Sequence, residues 1–236
     1  MTVTDRIMHQ FKFLNFPRAI YSSLKFIYFF QILRGHSFRD KNGFCVTANA
    51  VHIPWYTYPA IDFLDTLDFS KMKVFEYGAG ASTIWWSKRS KFVATVEMNV
   101  EWYQTVKKQN LPNVSIELCQ DGGLYPKIIS HYNQSFDIIA IDGAERFKSA
   151  VCAINEFSNN GFILLDNSDW YPNTANFLCS QGLNRIDFFG FCPTNSYPSV
   201  TSIFFRHHTN IFQQYEHREL NVMGGKILSG GALDDK

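Results

Sequence analysis

The sequence predicts an α/β protein whose core is a doubly wound, mostly parallel sheet, and three observations carry that prediction. From residue 71 onward, short runs rich in Val, Ile and Phe alternate with segments of helical length. The runs are continuously apolar rather than alternating, as expected of strands covered on both faces. Acidic residues also recur where successive runs end: Glu76, Glu97, Asp121, Asp142 and Asp166 are separated by 21, 24, 21 and 24 residues, one βα unit each time. The 236 residues, 46% hydrophobic and 18% charged, suffice for a packed core and exclude a disordered or fibrous chain. The spacing indicates one domain over residues 50–210, with an N-terminal helical extension over 1–49 and a Gly- and acid-containing tail over 211–236.

In chain order, Ala19 to Leu33 is the most apolar stretch, but it is shorter than the ~20 residues of a membrane span and contains Lys25. It reads as a buried or interfacial helix, packed on the domain or a partner subunit, or resting on a membrane surface. Residues 1–41 hold seven basic side chains against Asp5 and Asp40, an excess of five, and the rest of the chain carries −4 of the net +1. Strands are expected at 73–78, 92–97, 114–119, 136–142 and 162–166, and helices at Ala81–Arg89, Val100–Lys108 and Phe147–Phe157. The five acids fall at the carboxyl ends of the strands, the rim where open α/β sheets bind ligands.

The first strand runs into Glu76-Tyr77-Gly78-Ala79-Gly80-Ala81-Ser82-Thr83. Two glycines two residues apart let the backbone turn sharply and approach a ligand closely. A dinucleotide fingerprint needs a third small residue where Thr83 stands, and Glu76 would repel a pyrophosphate, so a cationic or hydrogen-bond-donating ligand suits the turn better. The turn, ExGxGxS, resembles motif I of the class I S-adenosylmethionine-dependent methyltransferases, with Ser82 departing from the usual last glycine. The resemblance implies that Glu76, Gly78, Gly80, Ser82 and Thr83 surround S-adenosylmethionine, that Glu97 accepts bonds from its ribose hydroxyls, and that Asp121 with Gly122 meets its adenine. Further segments between residues 50 and 206, among them PWYTYPA, IDGAER and LDNSDWYPNTA, are similar to bacterial methyltransferases of poorly defined substrate. That family implies a Rossmann-like, seven-stranded sheet with an antiparallel last strand, matched here by a closing hairpin at Asn184–Phe189 and Ser202–Phe205.

Methyl transfer requires an aligned, deprotonated or polarised nucleophile. Asp142, Asp166 and Asn167 resemble the Mg²⁺ ligands of catechol-type O-methyltransferases, and their hard oxygens suit that ion. The alternative is a metal-free reaction with Asp142 or His52 as general base. Arg146 is a candidate clamp for a substrate carboxylate or phosphate, or the partner of a neighbouring acid. Trp55 and Tyr56 lie at the rim, where aromatic rings stack on adenine, a sugar or a sulfonium, as do Tyr58, Trp170 and Tyr171. Trp85, Trp86 and Trp102 fall on helices and read as core.

Five widely spaced cysteines without a CxxC pair indicate reduced, inert thiols and a cytoplasmic setting, with membrane association through residues 1–41 as the variant. The near-neutral charge gives the expectation of no nucleic-acid partner. The preferred reading is methyl transfer to an oxygen of a sugar-like or small polar metabolite, with a small-molecule or glycan acceptor. Aminopropyl transfer and a non-catalytic, partner-binding subunit are the alternatives.

Overall fold

A computed structural model of the chain describes residues 15–215 and residue 223. Helix α1 (Asn15–Ile27) widens into a π-helical turn at Tyr28–Leu33, and α2 (Tyr58–Leu64) leads into the sheet. The strands and helices then alternate: β1 (Lys73–Tyr77), α3 (Ala81–Ser87), β2 (Phe92–Glu97), α4 (Val100–Lys107), β3 (Val114–Leu118), a 3₁₀ segment (Tyr125–Tyr132) and β4 (Phe136–Ile141). They continue through α5 (Arg146–Ala153), β5 (Phe157–Leu165), α6 (Pro172–Ser180), β6 (Asn184–Phe191) and β7 (Pro198–Phe205), and a 3₁₀ turn at Ile211–Tyr215 follows. The seven strands lie in the order β3-β2-β1-β4-β5-β7-β6, and β7 runs antiparallel to both neighbours. This is the Rossmann-like sheet with an antiparallel last strand.

The continuous apolar runs are explained by burial on two sides. Successive residues of β1 and β4 alternate between faces: Val74 and Ile138 join Trp85, Trp86 and Tyr56 on one side, while Phe75, Tyr77, Ile139 and Ile141 join Tyr125 and Phe136 on the other. Ring pairs such as Phe75–Tyr77 (4.8 Å), Phe75–Phe136 (5.3 Å) and Trp85–Trp86 (4.6 Å) meet edge to face, the geometry favoured by aromatic quadrupoles. Much of the aromatic excess therefore fills the core.

Two elements differ from the sequence expectation. Residues 154–157 do not extend α5; Phe157 pairs with Phe136 and opens β5, and the register then slips so that Ile138 faces Phe162. The segment Ser158-Asn159-Asn160-Gly161 lacks strand-forming residues, and backbone pairing holds it there. Gly161 is required, because a Cβ would stand 2.1 Å from the Asp137 carbonyl oxygen. The N-terminal helical segment meets the domain only at its end: Phe30 packs on Tyr58 and Phe191, while from Phe16 to Tyr28 every residue except Tyr21 is exposed. Among the described residues no helix is long and apolar enough to cross a membrane.

The segment 34–57 is tied to the sheet domain. Arg34 bonds Asp62 (3.1 Å) with its guanidinium 4.5 Å from the Tyr58 ring centre, and short bridges pair Arg39 with Cys45 and Val46 with His52. Burial is uneven among the five free cysteines: Cys45 and Cys192 are buried, Cys119 and Cys152 half-buried, and Cys179 exposed.

The chain reverses its winding between β1 and β4, so the turns after these adjacent strands define the crevice. Gly78 (φ +95°) and Gly143 meet there backbone to backbone, and a Cβ on Gly143 would lie 2.7 Å from the Gly78 nitrogen and 2.2 Å from Tyr125 Oη. Gly143→Ala should therefore lower stability by about 1–3 kcal/mol, measured as a shifted urea midpoint at constant m-value; an unchanged midpoint would show that the turns are not in fixed contact.

Candidate active site

The turn after β1 is built by hydrogen bonds that its own sequence supplies. Gly78 N–H donates to the Val96 carbonyl (2.9 Å), Ala79 N–H to Glu97 Oε2 (2.8 Å) and Gly80 N–H to Thr83 Oγ1 (2.9 Å). Thr83 in turn donates to Glu76 Oε2 at 2.5 Å, tying the end of β1 to the first turn of α3. Glu97 Oε1 accepts from Met98 N–H and Asn99 N–H, both at 2.8 Å, so the carboxylate is fixed at the end of β2.

These bonds frame a cavity of about 250 Å³. Gly78, Gly80, Ser82 and Glu97 line it, with Trp55 and Asp142 at other parts of its wall. Arg39, Phe44, Cys45, Trp102 and Gly143 line it too, and the sequence analysis did not select them. Trp102 read as a core residue because it lies on a helix, yet its ring meets Phe44 edge-on at 5.0 Å in the wall. Phe44 and Arg39 are carried by the bridged segment before the domain, which shows no motif; the one signal was the basic, aromatic character of that stretch. Thr194, in the β6–β7 connection, accepts from Arg39 Nη2 (2.8 Å) and Trp55 Nε1 (3.0 Å) and holds that wall in place.

Several expected site residues do other work. Tyr56 is fully buried in the core, where its hydroxyl accepts from Trp86 Nε1 (3.2 Å), so it does not face the cavity. Asp121 is spent on its own turn, accepting from Gly123 N–H (2.7 Å) and Leu124 N–H (3.0 Å), and Gly122 faces Glu145. His52 bonds Asp40 (3.1 Å) and packs on Phe44, outside the cavity lining, so it is not placed as a base there. Burial would raise the Asp40 carboxyl, but bonds from His52 and from the Phe44 and Asn42 N–H groups outweigh it and hold the group below its usual value. Thr83 and Glu76 lie beneath the cavity, fully buried.

The acids near the switch point are the unusual chemical feature. Burial pushes Glu76 up to about 8, partly offset by hydroxyl bonds from Ser82 and Thr83, and its Oε1 has no hydrogen-bond partner. Asp142 is pushed up to about 6 by burial against the opposing pull of Arg146. Asp166 is raised strongly by burial and by the neighbouring Asp142. Carboxyls gathered in a dry site favour a positive charge nearby, and Asp142 is the one of these three that lines the cavity.

The Asp142, Asp166 and Asn167 trio does not fit Mg²⁺. Asp166 is buried and accepts from Thr201 Oγ1 (2.6 Å), and Arg146 Nη2 stands between Asp142 Oδ1 and Asn167 Oδ1, 3.1 Å from each. A guanidinium thus fills the position between the two oxygens that a divalent ion would need. Among the described residues no group of three or more His, Cys, Asp or Glu side chains is placed to hold a metal. Arg146 also stacks over Tyr171 (4.2 Å) and lines a second cleft with Trp170 and Lys148, next to the cavity wall formed by Asp142.

No protein-family description matches the chain, and no curated protein matches it in sequence. Among solved structures it is similar to a precorrin-6y C5,15-methyltransferase from Geobacter metallireducens, at 15% identity and a TM-score of 0.53 over 71% of this chain and 96% of that one. It is also similar to an rRNA methylase from Streptococcus thermophilus (14% identity, TM-score 0.48, 63% and 97% covered). A third is a Streptococcus mutans methyltransferase solved with S-adenosylhomocysteine (15%, 0.46, 61% and 93%). The likeness to the precorrin methyltransferase structure shows the fold, a Rossmann-like, mostly parallel seven-stranded sheet with an antiparallel last strand. These likenesses also correct the exclusion of nucleic acid drawn from net charge, because one of these similar structures is named as an rRNA methylase.

Glu76 gives a pH signature. Its folded value is raised from 4.5 to about 8, so the stability linked to its proton is full below pH 4.5 and is lost as pH rises toward 8. Glu76→Gln, which keeps the neutral form at every pH, should flatten the fall in melting temperature between pH 5 and 8 and make the variant the more stable protein at the alkaline end. Equal slopes in the two proteins would refute the assignment.

Proposed function

We propose that this chain is an S-adenosylmethionine-dependent methyltransferase acting on an oxygen of a sugar-like or small polar acceptor. The observation that carries the reading is the cavity over the Gly78–Ser82 turn, with the pinned Glu97 carboxylate and Asp142 both in its wall. Bound there, S-adenosylmethionine supplies an electrophilic methyl carbon whose transfer leaves S-adenosylhomocysteine.

The chain's own groups divide the work. Glu97 has one oxygen fixed by two backbone N–H groups and the other by a third, and its remaining lone pairs can accept from a ribose diol. The Phe44 and Trp102 rings offer flat apolar surface for a base. Glu76 and Asp142 supply negative charge toward a cationic centre, which lowers their own proton affinity when that centre is present. In this reading Asp142, in the cavity wall, takes the proton of an acceptor hydroxyl, and its carboxyl, raised by burial to about 6, supports that role. Arg146, bonded to its Oδ1, orients the carboxylate and stabilises the ionised form.

Calorimetric titration with S-adenosylmethionine and S-adenosylhomocysteine should give one site for each, and Glu97→Ala should weaken both at least about tenfold. Absence of binding to either ligand in the native protein would overturn the reading. With an acceptor in hand, turnover should rise with pH through about 6 as Asp142 loses its proton. Asp142→Asn should lower kcat by about 10²–10⁴-fold while S-adenosylhomocysteine still binds; a variant with undiminished kcat would remove Asp142 as the base.

A further inference from the structure

The feature least explained by the cavity is α1. It stands clear of the sheet with large apolar side chains in the open: Phe16 is 76% exposed, Phe26 64% and Leu24 60%. Phe16, Ile20, Leu24 and Ile27 recur at i, i+4, i+8 and i+11 and form one apolar stripe along the helix. Arg18 and Lys25, seven residues apart, share the opposite side with Ser22, and no Asp or Glu occurs from Asn15 to Arg39. The charged side chains of the helix are therefore all cationic, with the exposed Phe26 beside them.

The helix is rooted at a defined place. Phe30, in the π-helical turn, packs on Phe191 (5.8 Å) at the end of β6, and β6 runs in the direction of the parallel strands, so this is the carboxyl end of the sheet. Exposed at that same end are Trp170 (55%) and Tyr197 (46%), whose rings lie 6.1 Å apart. Trp and Tyr are the side chains that settle at membrane–water boundaries.

We propose that α1 lies in the headgroup layer of an anionic bilayer, apolar stripe inward, and brings the carboxyl end of the sheet to that surface. An interfacial helix with a basic polar face has this signature, and its Arg and Lys stems reach outward to lipid phosphates. A second copy of the chain serves the stripe less well. A helix pair buries one seam, and Phe26 lies away from the Phe16–Leu24 stripe; two such faces would also bring cations together with no carboxylate on α1 to pair them. The proposal does not depend on which ligand the cavity takes.

The test is flotation of the full chain with vesicles of phosphatidylcholine alone or with about one-third phosphatidylglycerol. The native protein should float with the anionic vesicles and stay behind with the neutral ones, and added salt should weaken the association. Arg18→Gln with Lys25→Gln should reduce partitioning at least about tenfold, and Ile20→Glu with Leu24→Glu should abolish it. An unchanged melting temperature in each variant confirms that folding is intact. Native protein that fails to float with anionic vesicles overturns the proposal. So does equal flotation with neutral lipid, or sedimentation as a dimer that the Glu variants dissociate without any vesicle binding.

Discussion

The approach of Gly78 to Gly143 is the constraint on which the site depends. β1 and β4 are adjacent although two strands, β2 and β3, lie between them in the chain, and the turns leaving them point to the same rim. With side chains on these two residues the turns could not touch, because each Cβ would stand under 3 Å from the other turn's backbone. Their contact closes the floor of the cavity, fixes Asp142 next to the glycine turn, and leaves bare peptide where a ligand must come close. Glu97 is then located from two sides, by Ala79 N–H of the glycine turn and by the Met98 and Asn99 N–H groups of its own loop.

The electrostatics follow from that floor. Glu76, Asp142 and Asp166 are drawn into a volume with little water, and each is raised by burial. Arg146 is the cation bonded there, shared between Asp142 and Asn167 through one nitrogen, which leaves Glu76 and Asp166 to hydroxyl partners. A site with more carboxyls than cations is under strain when all are ionised, and protonation relieves it in the absence of a ligand. A cationic ligand relieves it in another way, so occupancy and proton release are coupled. The same argument accounts for the arginine: burial raises Asp142, and the guanidinium bonded to it pulls it back to about 6.

How much of this was legible in the sequence depends on the range of the interaction. β2 was readable to the residue because Phe92–Val96 is a run of apolar and β-branched residues that ends on Glu97 and follows Lys91, and the glycine turn announced itself through local spacing. The first residues of β5 were not, since Ser158–Gly161 is polar and lies in the sheet because Phe136 pairs with Phe157. The site divides in the same way. Glu97 and Asp142 end strands, and chain geometry alone brings them to the rim. Tyr56 looked equivalent to Trp55, yet one-residue alternation turns it into the core against Trp86. Asp121 had the right spacing, but one oxygen of its exposed carboxylate is engaged by the N–H groups of Gly123 and Leu124, and it does not line the cavity. Phe44 and Trp102 come from segments 58 residues apart, and no periodicity in either encodes their meeting.

The division of charge, basic before residue 42 and acidic after it, acquires a structural meaning once the strap is placed. Part of the basic excess is consumed within the molecule: Arg34 reaches Asp62 and stacks on Tyr58, and Arg39 closes the cavity wall through Thr194 and the Gly43 carbonyl. These ties hold Phe44 and Cys45 against the glycine turn, so the segment 34–57 belongs to the site although the sequence places residues 34–49 outside the domain. Arg18 and Lys25 lie on the far side of the Arg34–Asp62 tie, on a helix that shows its apolar stripe to solvent. Had α1 served only to brace the strap, its stripe would face the sheet and bury there. That it does not, while Arg34 and Arg39 already tie the segment down, separates the two: residues 34–57 complete the cavity, and the proposed bilayer contact rests on α1.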